Sequence, residues 1–261
     1  MRIEKGTVAS HELMGTEYRV LRLTLPEVAA TAQPGQFIHL RIASLHDAVL
    51  RRPFSIYKVE GQELSILYKT IGRGTATMQS LKVGDTVSIV GPLGNGFPLT
   101  VDSGATPVLV GGGYGVAPLY FLARRMAQRG ILFIGGAKAV DILLADDFNK
   151  LGWNVRIATD DGSLGEKGLV TTPLDAWLIT ETGKVIPKFY ACGPNGMLKA
   201  VGDRAIKGNW KAWLSLDRHM GCGVGACLAC VQKVRLNGQN TVARVCKDGP
   251  VFESRDVIWE D

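Results

Sequence analysis

No run of about eighteen consecutive apolar residues occurs in the 261-residue chain, so the sequence offers no membrane-spanning helix. The opening Met1-Arg2-Ile3-Glu4-Lys5-Gly6 has no apolar h-region, which excludes a secretory signal there. Lys and Arg outnumber Asp and Glu by 30 to 24, for a formal net charge of +6, yet they never run longer than two in a row. That excludes the basic tracts by which a chain follows a nucleic-acid backbone. Cysteine is scarce, at five, and supplies only one C-x2-C hook, Cys227 and Cys230, where a structural zinc site commonly brings two. The rest reads as a soluble globular protein, 46% apolar and 21% charged, long enough for two domains and a small third.

Four of the five cysteines, Cys222, Cys227, Cys230 and Cys246, follow the pattern C-x4-C-x2-C-x15-C. The first three have the spacing of a plant-type [2Fe-2S] loop. They sit among Gly221, Gly223 and Gly225, which let a loop curl until successive thiolates point inward. Backbone N–H groups left free in such a loop can donate to sulfur. A Rieske centre needs two histidines beside two cysteines, and only His219 lies nearby. Inert core thiols would not cluster among glycines, and nothing suggests secretion and disulfide pairing. Zinc stays open as the other metal reading. Thiols reserved for a metal fit a reducing cytoplasm. Residues 231–236 and 241–245 flank Asn237-Gly238 as a hairpin that returns Cys246 to the loop. Residues 206–261 are too few for a core of their own, so a bound metal centre would staple them.

Residues 1–98 predict an antiparallel β-barrel. Period-2 segments begin at Tyr18, Phe37, Phe54, Leu64 and Thr86, with turn residues between them, and only Thr75 to Leu81 looks briefly helical. Two motifs interrupt the alternation. Arg52-Pro53-Phe54-Ser55 puts a guanidinium and an aromatic ring on one face of a strand, suited to a pyrophosphate and a planar cofactor. Gly72-Arg73-Gly74-Thr75 opens a helical run, where backbone N–H groups can cradle phosphate. Each motif is weak alone. Together in one barrel they are far more specific.

Residues 99–205 predict an α/β nucleotide-binding domain with a parallel sheet. The buried-strand run Val108-Leu109-Val110 passes into Gly111-Gly112-Gly113-Tyr114-Gly115, then a helix over Tyr120 to Arg129. The glycines are bunched, unlike G-x-G-x-x-G, and Lys138 rather than an acid follows the next strand. The NAD versus NADP choice is therefore open. A later strand ends in Cys192-Gly193-Pro194, which opens another helix. Ligands of open α/β sheets bind beyond the carboxyl ends of strands, so Cys192 stands where a nicotinamide could lie. A lone buried cysteine is otherwise inert packing.

These motifs, in this order, resemble the ferredoxin–NADP reductase superfamily. Ser215-Leu216-Asp217-Arg218-His219-Met220-Gly221-Cys222 and Val245-Cys246-Lys247-Asp248-Gly249-Pro250-Val251-Phe252 narrow the likeness to the dihydroorotate dehydrogenase B electron-transfer subunits. That resemblance implies FAD in the barrel, contacted by Arg52 to Ser55, by Leu67, Tyr68 and Lys69, and by Gly72, Gly74 and Thr75. It implies Ser55 near the flavin N5, NAD(H) at Gly111, Gly112, Gly113, Gly115, Cys192, Gly193 and Pro194, and one [2Fe-2S] cluster on the four cysteines. It implies a partner, an FMN-containing catalytic subunit that oxidises dihydroorotate in pyrimidine synthesis, joined in a heterotetramer of two subunits of each kind. Electrons would pass from FMN through cluster and FAD to NAD+, with no acid, base or nucleophile from the chain. Alone, the chain would be a diaphorase. The rim from His219 to Gly225 would face the partner.

Two other readings compete. A flavin subunit of an NAD(P)H–ferredoxin or sulfide-linked oxidoreductase would be expected to carry one aspartate ligand, where this chain has four cysteines. A zinc-stabilised regulatory protein would show neither flavin nor cluster absorption. Replacing Cys246 with Ser is expected to abolish the visible cluster bands and to unfold much of the C-terminal segment; a variant that keeps the native spectrum refutes the ligand assignment.

Overall fold

The period-2 segments of the N-terminal part close on themselves. In a computed structural model that describes residues 1–42, 50–181 and 183–259, they become β1 (Arg2–Met14), β2 (Tyr18–Thr24), β3 (Phe37–Arg41), β4 (Arg52–Glu60), β5 (Glu63–Lys69) and β6 (Thr86–Leu93). These form a closed antiparallel barrel in the order β1-β2-β5-β4-β3-β6. The sequence reading missed β1 for a physical reason. Its inward positions are Glu4, Gly6 and Val8, so the apolar alternation is broken. The buried Glu4 carboxylate instead accepts the N–H groups of Glu27 and Val28, at 3.1 and 2.8 Å. It thereby caps α1 (Pro26–Ala29), a single turn also absent from the sequence reading. The second short helix, α2 (Arg73–Met78), starts and ends a few residues before the expected 75–81.

Continuous apolar runs form the middle of the second layer, as strands buried on both faces require. β7 (Ala105–Gly112), β8 (Ile131–Gly136), β9 (Asn154–Thr159), β10 (Glu166–Lys167), β11 (Ile186–Cys192) and β12 (Lys211–Ser215) run parallel in the order β10-β9-β8-β7-β11-β12. β7 and β8 are those apolar runs, whereas the outer strands β9 and β10 are more polar and exposed. The helices are α3 (Val116–Arg125), α4 (Ala145–Lys150), α5 (Thr171–Glu181) and α6 (Asn195–Lys207). α3 begins four residues before the expected 120 and stops at Arg125, where Met126 turns extended and buries. Pro118 is tolerated because the first turn of a helix needs no N–H there.

The hairpin forms as expected: β13 (Val231–Leu236) pairs with β14 (Gln239–Arg244) across Asn237 and Gly238, both at positive φ. The stretch 206–261 nonetheless does not stand apart. Its β12 belongs to the parallel sheet, and β15 (Val251–Glu253) returns antiparallel on β12. One apolar core runs through all three regions, with Phe37 and Leu93 from the barrel, Val108 and Phe189 from the sheet, and Val234, Val245 and Phe252 from the C-terminal stretch. What a metal centre alone can staple is therefore the cysteine loop and hairpin, not the whole segment.

A polar clasp also joins the barrel to the second layer. The buried Tyr18 of β2 donates its hydroxyl to Asp141 at 2.5 Å, and Lys69 of β5 bonds Asp141 at 3.3 Å and Glu17 at 2.7 Å. Burial first, then the Asp141 bond, raises the Tyr18 phenol to about 12, so it remains a donor at all ordinary pH. Tyr18→Phe is expected to cost about 2 kcal/mol, the worth of a hydrogen bond to a charged acceptor, measured by denaturant unfolding.

Candidate functional site

β4 changes partners along its length. Arg52, Pro53, Phe54 and Ser55 pair with Leu40, His39, Ile38 and Phe37 of β3, whereas the ladder to β5 begins only at Ile56, opposite Ile66. The β5-facing edge of Arg52–Ser55 and the end of β5 at Leu67–Lys69 are thus left unzipped at one end of the barrel. A gap bounded by free backbone groups is what a planar cofactor with hydrogen-bonding edges requires.

The two barrel motifs meet at this gap. A Cβ added to Gly74 would lie 3.2 Å from the Arg52 Nε, so the first turn of α2 sits directly on the arginine. Among the described residues Arg52 has no carboxylate partner; it bonds the Leu50 carbonyl at 2.5 Å. Arg51 is engaged otherwise, donating to the Ser88 carbonyl at 2.7 Å and hydroxyl at 3.0 Å. The Thr75 hydroxyl accepts the N–H groups of Ile71 and Gly72, at 3.0 and 3.1 Å, and fixes the turn. Phe54 leans edge-on to Tyr68 with centroids 5.9 Å apart. The expected β5 contacts need qualification. Leu67 and Tyr68 bury their side chains, Tyr68 bonding His11 at 2.9 Å, and Lys69 is held in the Asp141 clasp. Only their backbone faces the gap.

The glycines at the end of β7 and just after it have two different reasons. A Cβ at Gly115 would overlap the Cys192 carbonyl, and one at Gly112 would lie 2.8 Å from Pro194. These glycines let the loop after β7 pack backbone to backbone on Cys192, Gly193 and Pro194. Gly111 is tight against Val116. Gly113, at φ +52 with nothing within 4 Å, is the one open outward, where a nucleotide could approach. The two loops predicted for NAD are therefore brought together.

Sequence reasoning missed two neighbours of that junction. Tyr114 and Asp217 lie close enough to Cys192 for their charges to interact, and burial, chiefly, raises both the Tyr114 phenol and the Asp217 carboxyl. Tyr114 stands inside the glycine motif and Asp217 just ahead of the cysteine loop, but neither residue type marks a role there by itself. Asp217 is found only because β12 runs beside β11, with Ser215 opposite Cys192.

The four cysteines come together as two pairs. The Cys222 N–H donates to the Cys227 sulfur and the Cys246 N–H to the Cys230 sulfur, each at 3.4 Å. The Cys222 sulfur accepts N–H groups from Val224, Ala226 and Cys227 at 3.4, 3.2 and 3.4 Å. Although burial pushes this thiol up, those three donors bring it down to about 6. Burial and Cys230 raise Cys246 to about 12. Two pairs of thiols suit a dinuclear cluster, which takes four cysteines over two irons. Arg244 clamps the loop: it bonds Asp248 twice at 2.9 Å and the Gly225 carbonyl at 3.2 Å.

Comparison with known proteins agrees with this geometry. Residues 5–97 match the family described as "Oxidoreductase FAD-binding domain", and residues 217–258 match "Iron-sulfur cluster binding domain of dihydroorotate dehydrogenase B". The chain is 40% identical, over 98% of each sequence, to the dihydroorotate dehydrogenase B (NAD(+)) electron transfer subunit of Bacillus caldolyticus. It is 37% identical, over 100% of each, to that of Fusobacterium nucleatum. Among solved structures, an NADH-dependent reduced ferredoxin–NADP oxidoreductase, described for flavin-based electron bifurcation, superposes with TM-score 0.82 at 27% identity, covering 97% of this chain and 90% of its own. A ferredoxin reductase of carbazole 1,9a-dioxygenase, at TM-score 0.67 and 21% identity over 80% and 67%, shares the fold.

Cys192 is held as a neutral thiol. Burial raises its thiol to about 12, only partly offset by a hydrogen bond with Ser215. Iodoacetamide at about pH 8, where an ordinary cysteine is substantially reactive, is expected to spare Cys192 in the native protein and to label it after denaturation, as read by peptide mass spectrometry.

Proposed function

The chain belongs to the family of NAD(+)-linked dihydroorotate dehydrogenase B electron-transfer subunits, and from that premise we propose that it carries electrons between the FMN of a dihydroorotate dehydrogenase catalytic subunit and NAD+ in pyrimidine synthesis. It is an oxidoreductase subunit. When bound, FAD exchanges hydride with NAD(H) and single electrons with a [2Fe-2S] cluster, chemistry that no side chain supplies.

The side chains bind and orient. Arg52 would neutralise the FAD pyrophosphate beside Gly72, Gly74 and Thr75, a reading supported by its lack of a carboxylate partner among the described residues. Pro53, Phe54 and Ser55 would line the flavin, and the backbone of Leu67, Tyr68 and Lys69 would meet it across the gap. Gly113 would admit the nucleotide, with Cys192 and Tyr114 flanking the nicotinamide. The NAD(+) of the relatives' names favours NAD over NADP. Cys222 and Cys227 would hold one iron, and Cys230 and Cys246 the other.

One observation carries the reading. The cysteine loop packs on the same barrel wall that leaves the flavin gap: Gly223 lies against His39 of β3, whose ladder partner is Pro53 of the flavin strand. That proximity serves electron transfer and has no use in a zinc-stabilised binding protein.

The subunits would assemble as a heterotetramer, two of each kind. Among the described residues no helix is long and apolar enough to cross a membrane. A cytoplasmic site would keep the thiols reduced.

Co-expression with the FMN subunit is expected to give a complex that reduces NAD+ with dihydroorotate. A flavin- and cluster-replete complex without that activity would sink the assignment. Arg52→Ala is expected to weaken FAD binding roughly 10- to 100-fold, the loss of charge-assisted hydrogen bonds of about 1.5–3 kcal/mol, read by FAD titration of the apoprotein.

A further inference from the structure

His39 is buried in the barrel wall at 1% exposure, yet neither ring nitrogen has a hydrogen-bond partner among the described residues. An unpaired buried polar group costs on the order of 1–3 kcal/mol, and an apolar side chain on this strand would avoid that cost. The backbone around it is fixed. His39 pairs with Pro53 of β4 and Val90 of β6, and Arg51 bonds its carbonyl at 3.5 Å while anchored on Ser88. The ring therefore has one direction to face. It points out of the barrel at the cysteine loop, where a Cβ on Gly223 would lie 2.5 Å from Nδ1 and 3.0 Å from Cε1. Gly223 is also at φ +72, so close approach and backbone conformation both select glycine there. The Cys222 backbone lies close enough to act on the ring as a hydrogen-bond acceptor, and the Arg51 and Arg52 guanidiniums are near enough for their charges to be felt there.

We propose that His39 is a positioning residue that couples the flavin strand to the cluster loop, its ring N–H donating to the Cys222 end of that loop when the cluster is held. A hydrogen bond at that point holds Cys222 in its ligating orientation and tunes the electronic state of the iron it binds. Because Pro53 lies beside His39 on the next strand, the same ring reaches from the strand of the flavin motif to the cysteine loop.

The inference rests on the reading of the four cysteines as [2Fe-2S] ligands. Its test uses the full complex with the catalytic subunit, as wild type, His39→Leu and His39→Asn. The wild type's iron, sulfide and FAD contents test the underlying reading on their own; absence of iron there would overturn both. With the wild type replete, His39→Leu is expected to keep its FAD and iron. It should shift the g values of the reduced cluster in electron paramagnetic resonance and slow reduction of FAD through the cluster roughly tenfold. His39→Asn, which restores an N–H near the Nδ1 position, should recover the wild-type g values and most of the rate. Unchanged g values and rate in His39→Leu would overturn the proposal. So would parallel loss of FAD and iron in both variants, which would make His39 a packing residue only.

Discussion

The partner exchange along β4 is the constraint from which the rest of the molecule follows. Its first four residues stay with β3, and its remainder stays with β5. The half that leaves β5 opens a gap with free backbone groups. The half that leaves β3 exposes its other edge, and α3 covers it, through Tyr57 against Tyr120 at 5.2 Å and Glu60 bonded to Arg124 at 2.9 Å. Because α3 follows the glycine loop of β7, docking it on β4 also brings the nucleotide junction to the open end of the barrel. One irregular strand thus makes the cofactor gap and aims the second domain at it.

The C-terminal segment exploits the same corner. It is anchored to the sheet by β15 on β12, and to the barrel by the Asn95 N–H, which donates to the Gly249 carbonyl at 2.6 Å. Its loop is then pressed on β3 at His39. Three backbone N–H groups point at the Cys222 sulfur, donors that favour its thiolate form. The low exposure of Cys230 and Cys246, against the exposed Cys227, gives the site a dry inner side and an open outer one.

Much of this was legible in the residues, but unevenly. The cysteine pattern, the hairpin at Asn237-Gly238 and the alternation of β2, β3, β5 and β6 state their structure locally, because spacing and turn chemistry act over a few residues. β1 was hidden because Glu4 and Gly6 occupy inward positions, and their reason lies in α1 and Leu25, well away along the chain. The glycines after β7 were legible as a loop, but three of them serve packing, and only Gly113 faces outward. Lys69 matched a family contact, yet Asp141, from the other domain, holds its amine.

By itself the sequence determined the three-part architecture, the four thiols and the cofactor motifs, since each is written as a local pattern of residue types. Tertiary structure decided the pairing of the thiols, the gap between β4 and β5, and the neighbours Asp217 and His39. These depend on which strands lie side by side, and strand neighbours far apart in sequence leave no mark in local periodicity. His39 shows the difference most plainly: in the sequence it is one residue of an alternating strand, and in the fold it stands between the flavin strand and the cluster loop.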